Sequence, residues 1–242
     1  MLSILIKEFN SFLDSTIAYV VIILFLLGTG LFLWVFPDTS ILEYGYADLD
    51  SLFSMTPFIY MFLIPAITMK SFSEELKGGS MELILTKPLT DWQIILGKYF
   101  AGLSLVLVSL APTLVYYYSV YQLGFPKGNV DSAGVVGSYI GLVFLGAVFT
   151  SVGIFTSSIS DSQIISFIVG VFLCFLLHTG FSALSKLEIW GTFSSVVESF
   201  GIDYHYYTIS KGLLDSRDIL YFLSIIFIML KSTHLLLSTR KW

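Results

Sequence analysis

The chain has 242 residues, of which 56 % are hydrophobic and only 12 % charged, and its mean hydropathy is +0.87. So few charges would leave most of a soluble domain's surface apolar, and a disordered chain needs the opposite balance, so both classes are excluded. A net charge of −5 gives no basic footprint for nucleic acid, and a single cysteine allows neither an intrachain disulfide nor a metal site built on several thiolates. Cys174 stands in the apolar run Phe-Leu-Cys-Phe-Leu-Leu and is expected to pack as a small core or lipid-facing residue.

At the start of the chain Leu2, Leu5, Ile6, Phe9, Phe12 and Leu13 recur at helical spacing, with Ser3, Lys7, Asn10, Ser11 and Asp14 between them. This pattern predicts an amphipathic helix lying in a membrane interface with its apolar face in the acyl boundary. The run that follows is too long for the apolar region of a signal peptide, and no Ala-x-Ala site follows it, so a cleaved leader is not expected.

A bilayer core is crossed by about 20 apolar residues in a helix. Six stretches meet or approach this: 17–36, 52–69, 99–123, 135–157, 164–184 and 219–237. The second carries Pro57 and Pro65, the third Pro112, and the fourth Gly137 and Gly141 in a G-x-x-x-G pair suited to close helix packing. The fifth holds His178, expected to be buried and hydrogen-bonded, and the sixth is interrupted by Lys231 and His234. The spans leave too little chain for a separate soluble domain. The fold class is therefore an all-α integral membrane protein, with six transmembrane helices forming one domain over 1–242.

An even number of spans puts both ends of the chain on one side. The ends and the segment 70–98 carry seven Lys and Arg against four on the other side, which favours a cytoplasmic placement of both termini. Lys231 is expected to snorkel towards that side.

The segment 70–98 reads KSFSEELKGGSMELILTKPLTDWQIILGK. Gly78-Gly79 breaks the helix leaving the second span, Ser80 is a fair N-cap, and Glu82 lies in the first turn of the helix it opens. Met81, Ile84 and Leu85 give that short helix an apolar strip, and Pro88 ends it. Thr90 and Gln93 form a capping box that starts a helix with no stop before Leu123 except a kink at Pro112. Thirty-three residues make about 50 Å of helix against a core of about 30 Å, so its first turns stand outside the core. A short apolar helix held outside the membrane between two spans suits docking into a partner's groove. An ordinary helical hairpin fits the same pattern.

This segment, with Ser80-x-Glu82-x-Ile84-Leu85-Thr86-x-Pro88-Leu89-Thr90 followed by Gly97-Lys98, resembles the first cytoplasmic loop of type-two ABC exporter permeases. Within that class the chain is similar to the permease family of the gliding-motility-associated ABC transporters of Bacteroidetes. The likeness is carried by KEFNSFLDSTIAYVV, FLIPAITMKSFSEELKGGSMELILTKPLTDWQIILGKY, GIFTSSISDSQIISFI and ESFGIDYHYYTISKGLLDSRDILYF. The resemblance implies a bacterial inner-membrane subunit that works with a separate ABC ATPase and a second permease or accessory membrane subunit, as a dimeric assembly. It also implies that Glu74, Glu75, Gly79, Ser80, Met81, Glu82, Ile84, Leu85 and Pro88 belong to the region coupling ATPase movement to the spans, on a cytoplasmic coupling helix.

The chain itself has no G-x-x-x-x-G-K-[ST] phosphate cradle, so ATP and Mg are expected on the partner, with no cofactor or metal here and no enzyme activity of its own. H-E-x-x-H is absent, and Glu74-Glu75 has no metal-ligand set in a neighbouring span. His178, Thr179 and Ser182 share a helical turn but lack an oriented base and an oxyanion site. An ion-coupled secondary transporter would carry acids inside its spans, and these hold none. A non-transporting membrane anchor is the remaining alternative. The loop 185–217, rich in Phe193, Phe200, Tyr204 and Tyr206, is expected to re-enter the outer interface as short helices or to gate the outer mouth.

Overall fold

The computed structural model describes residues 1–44, 46–80 and 89–239. Among them every regular element is helical. The principal helices are α1 (Leu2–Leu13), α2 (Thr16–Trp34), α3 (Asp50–Lys77), α4 (Asp91–Leu123), α5 (Ser132–Ile159), α6 (Gln163–Ser185), α7 (Ile202–Ser210) and α8 (Ser216–Thr239). All except α1 and α7 are long and apolar enough to cross a membrane, which makes the chain a six-span membrane protein.

The spans alternate in direction. The junctions 14–15 and 160–162, with residues 78–80 and 89–90, lie at one end of the bundle, called here the Lys98 end. The segments 35–44, 46–49, 124–131 and 186–215 lie at the other, the His178 end. The 33 residues of α4 form one rod, with a 3₁₀ turn at Ala111–Thr113 where Pro112 withholds its N–H. Its start is the predicted capping box: Gln93 N donates to Thr90 Oγ1 at 3.4 Å and Thr90 N to Gln93 Oε1 at 3.1 Å. At the start of α6 Ser162 stands at the N-cap position without a side-chain cap bond, and its own N–H donates to Ser160 Oγ.

The core forms around α5, which packs against α3, α4, α6, α7 and α8. Its glycines would be poor helix formers in water, but in hydrocarbon the backbone has no better partner than itself, and small side chains let neighbours approach. A Cβ on Gly153 would stand 1.9 Å from Thr68 Oγ1, and one on Gly146 2.8 Å from Val106 Cγ1. Of the buried hydroxyls of α5, Thr150 donates to Gly146 O, Ser151 to Val148 O and Ser157 to Ile154 O within the helix, at 2.7 to 2.8 Å, and Ser138 donates to Ser210 O of α7 at 3.0 Å.

Gly137 and Gly141 face α7 of the same chain. A Cβ on Gly137 would lie 2.5 Å from Ile209 O, and one on Gly141 3.1 Å from the Tyr206 ring. The re-entering segment is thus anchored in the bundle, with Ile202, Tyr206 and Ile209 buried. Pro57 lacks the N–H that would bond Phe53 O within α3, and Tyr206 Oη donates to that carbonyl at 2.8 Å instead. Burial, with Tyr60 and Asp203 adding to it, pushes the Tyr206 phenol above its ordinary pKa, so it stays a donor.

Two side chains differ from expectation or gain partners. Neither ring nitrogen of buried His178 has a hydrogen-bond partner among the described residues. Lys231 lies over the Trp92 ring, its ammonium 5.8 Å from the centroid, and Trp92 also stacks on His234 at 5.0 Å. Thus the last turns of α8 are held to the first turn of α4. Cys174 is fully buried, as its apolar neighbours predict.

The fit of α5 to α3 is tested by Gly153→Ala. Its added carbon collides with Thr68, and overpacking of this kind costs about 1–3 kcal/mol. The variant is expected to melt below the parent in a detergent size-exclusion thermostability assay, and Thr68→Ala in the same chain is expected to recover part of the loss. An unchanged melting point would show that α3 and α5 are not so closely apposed.

Candidate functional site

The segment singled out by sequence leaves α3 at Gly78 and returns at Leu89. Gly79 takes a φ of +66°, a left-handed conformation open to glycine, so the chain can turn away from α3 there. Ser80 follows on the wall of a polar cavity. Met81, Glu82, Ile84, Leu85 and Pro88 lie outside the described residues. What the structure describes is the frame that holds both ends of this segment.

That frame is built on Lys98, in the second turn of α4. Its side chain is 1 % exposed. The ammonium donates to Ser71 O at 2.6 Å, to Glu75 Oε1 at 2.8 Å and to Glu8 Oε1 at 3.2 Å, which uses all three of its protons. The Phe72 ring lies 5.1 Å from the same nitrogen. One cation thereby joins α1, α3 and α4. A buried charge is tolerable only with this degree of pairing, because desolvation costs several kcal/mol per ion.

Local structure explains how the partners converge. Glu75 and Ser71 are four residues apart on α3 and share a face. Gly97 lets α1 lie close on α4: a Cβ there would stand 2.8 Å from Ile4 Cγ2. Ile4, Glu8 and Phe12 then point inward from successive turns of α1. The face of α1 expected to sit wholly in the acyl boundary is therefore divided, with Phe12 buried in the core and Leu2 and Ile6 left exposed. At the junction of α1 and α2, Lys70 Nζ donates to Ser15 Oγ at 3.0 Å, a second tie between α1 and α3.

Beside Lys98 is a cavity of about 430 Å³, whose charged lining is Lys7, Lys70, Lys98, Glu8, Glu74 and Glu75. Three cations face three carboxylates, and Ser80 closes the side nearest the undescribed segment. Of the nine predicted coupling residues, Glu74, Glu75 and Ser80 meet here and Gly79 adjoins them. Gly137 and Gly141 are elsewhere, packed on α7. Glu8 and Phe72 carried no distinguishing sequence signal. Lys98 stood in the Gly97-Lys98 pair, and its one physical hint was a cation on a helix that must stay near the membrane surface. No cluster of three or more His, Cys, Asp or Glu residues able to hold a metal occurs among the described residues.

Comparison with known proteins gives two findings. The model of a family described as ABC-2 family transporter protein matches residues 2–194. The chain is also 26 % identical over 161 residues to the "Probable multidrug ABC transporter permease YbhR" of Escherichia coli (strain K12) and to its counterpart in Escherichia coli O157:H7. Each alignment covers 65 % of this chain and 40 % of the relative, so the chain spans well under half the length of the curated relatives it matches.

Removing Lys98 would leave the half-buried Glu75 without its cation and Glu8 with only the exposed Lys7, at 3.6 Å, a change that costs up to about 3 kcal/mol. Lys98→Met is therefore expected to lower the melting point of the purified chain strongly and to expose the linker after α1 to protease. If both the melting point and the digestion pattern match the parent, Lys98 does not hold these three helices together.

Proposed function

The chain belongs to the ABC-2 family of transporter proteins, and from that membership we propose that it is the membrane-spanning permease of an ABC transporter whose ATP and Mg are bound by a separate ATPase subunit. The segment Glu74 to Pro88 receives the motion of that ATPase, and the Lys98 centre distributes it. The observation that carries this reading is that one ammonium ties α1, α3 and α4 at the point where the segment leaves the bundle. A push on Ser80 then meets a joint shared by three helices, and α3 and α4 move as levers with α1.

Both termini and the Lys98 end lie in the cytoplasm, supported by the excess of Lys and Arg on that side. A second permease copy or accessory membrane subunit completes a dimer in a bacterial inner membrane, supported by family membership. The finer assignment, to gliding-motility machinery, rests on the four sequence segments that resemble that family. The multidrug description of the relatives supplies a different cargo reading, which the purified complex can distinguish by what it moves.

Two experiments test this. An unpaired carboxylate in an apolar contact is costly, so Ile84→Asp is expected to separate the permease from its co-purifying ATPase and abolish stimulated ATP hydrolysis while membrane insertion persists. Retention of the ATPase with full hydrolysis would reduce the segment to a hairpin. Separately, single cysteines at Lys77 and Ser195, in a chain with Cys174→Ala, are expected to react with an impermeant reagent from opposite sides of the membrane. Labelling of both from the same side would overturn the six-span topology, and labelling of Lys77→Cys from outside the cell would overturn the orientation.

A further inference from the structure

At the His178 end, away from the Lys98 centre, a cavity of about 440 Å³ opens between the first turns of α3, the middle of α6, and α7. His178 lines it and is 2 % exposed. Both ring nitrogens lack a hydrogen-bond partner, although a polar group buried this deeply is ordinarily bonded. The ring is held among aromatic groups, 6.0 Å from Phe58, 6.3 Å from Phe149 and 6.5 Å from Tyr206. It is carried on a turn of π-helix, Leu176–Gly180, a distortion that recurs at functional sites because it re-aims a side chain.

The remaining lining has a definite chemistry. Asp50 and Asp203 face the cavity, and neither carboxylate forms an ion pair among the described residues. The Lys211 ammonium, also on the wall, sits over the ring of Tyr207, another wall residue, 4.0 Å from the centroid. That contact demonstrates that the wall holds an ammonium on an aromatic face. Asp48 lies in the adjoining cleft with Asp50 and Lys211. Its carboxyl is held above the ordinary range chiefly by burial, with the Asp50 charge adding to this and a hydrogen bond from the Asp50 backbone opposing it.

We propose that this cavity binds a small organic ammonium with an apolar body: Asp203 and Asp50 balance its charge, Phe58, Tyr206 and Tyr207 enclose the body, and the unpartnered imidazole of His178 accepts an N–H. The acceptor role selects primary and secondary ammonium over quaternary. The same headgroup chemistry occurs in a free amine and in phosphatidylethanolamine. The site is distinct from the coupling region, and its occupancy is measurable without an ATPase, so its failure would leave the permease reading untouched.

The test uses the full chain in nanodiscs and saturation-transfer NMR with three probes of one ring size. Phenethylammonium is expected to bind, and phenylacetate, of opposite charge, is not. The N,N,N-trimethyl derivative of phenethylammonium, which has no N–H, is expected to bind about tenfold more weakly. Asp203→Asn and His178→Phe are each expected to weaken phenethylammonium by about tenfold, with Asp203→Glu restoring binding. Discs of phosphatidylglycerol with and without phosphatidylethanolamine separate the two sources. Competition by the latter assigns the site to a lipid headgroup, and its absence assigns it to a free amine. The proposal is overturned if phenethylammonium does not bind, if phenylacetate binds equally, or if the trimethylated probe binds as tightly as the primary amine. The probe comparisons need only the parent chain, so a variant that fails to fold leaves the outcome decisive.

Discussion

A single ammonium group surrounded by acceptors organises one end of this membrane protein. Lys98 has no access to water, and three oxygens from two other helices replace its hydration shell. Low dielectric makes that arrangement cooperative, since none of the partners can leave without stranding a charge. The amphipathic α1 is consequently part of the bundle, although its Leu2 and Ile6 remain available to lipid. The segment 81–88 is framed by the same group, because Glu75 precedes it and Lys98 follows it on the two helices it connects.

At the other end His205 Nδ1 meets the buried Asp218 Oδ1 at 2.6 Å, joining α7 to α8. There the glycines of α5 admit α7, and a carbonyl released by Pro57 receives the Tyr206 hydroxyl. Helix association in a bilayer gains little from apolar burial, because lipid tails are as apolar as the side chains. Close backbone approach and the satisfaction of stray polar groups therefore decide which helices meet. Small residues, hydroxyls and the His205–Asp218 contact make the joint at this end, and the Lys98 ammonium makes the joint at the other.

Much of this architecture is legible in the sequence, for reasons that differ between elements. The six spans follow from uninterrupted apolar length, which the bilayer demands of any helix that crosses it. The capping box at Thr90 and Gln93 and the break at Pro112 are local backbone chemistry, so adjacent residues specify them. The Gly137 and Gly141 spacing announces a close neighbour, but its identity depends on how the segment 186–215 folds back. Glu8 and Lys98 are 90 positions apart, and nothing in either neighbourhood names the other. His178 illustrates the limit most clearly. A lone imidazole in an apolar run is ordinarily bonded, and only the packing of α3, α5, α6 and α7 leaves both of its nitrogens bare. The residues Met81 to Pro88, proposed for coupling, are recognisable by pattern and resemblance, which carry no information on where they sit.

The pinning of α3 has a mechanical consequence. Its Ser71 carbonyl is gripped at one end and its Phe53 carbonyl at the other, 18 residues away, or about 27 Å of helix. Between the two grips lie Pro57 and Pro65, where the internal hydrogen-bond ladder is interrupted. A rod clamped at both ends and softened in the middle behaves as a rocker, not a piston. A tilt imposed beside Lys98 reaches Tyr206 as a turn of the upper half about the proline hinge. If the segment after Lys77 is driven as proposed, the short helix α7 follows it, linked to α3 through the Phe53 oxygen as Lys98 is linked through that of Ser71.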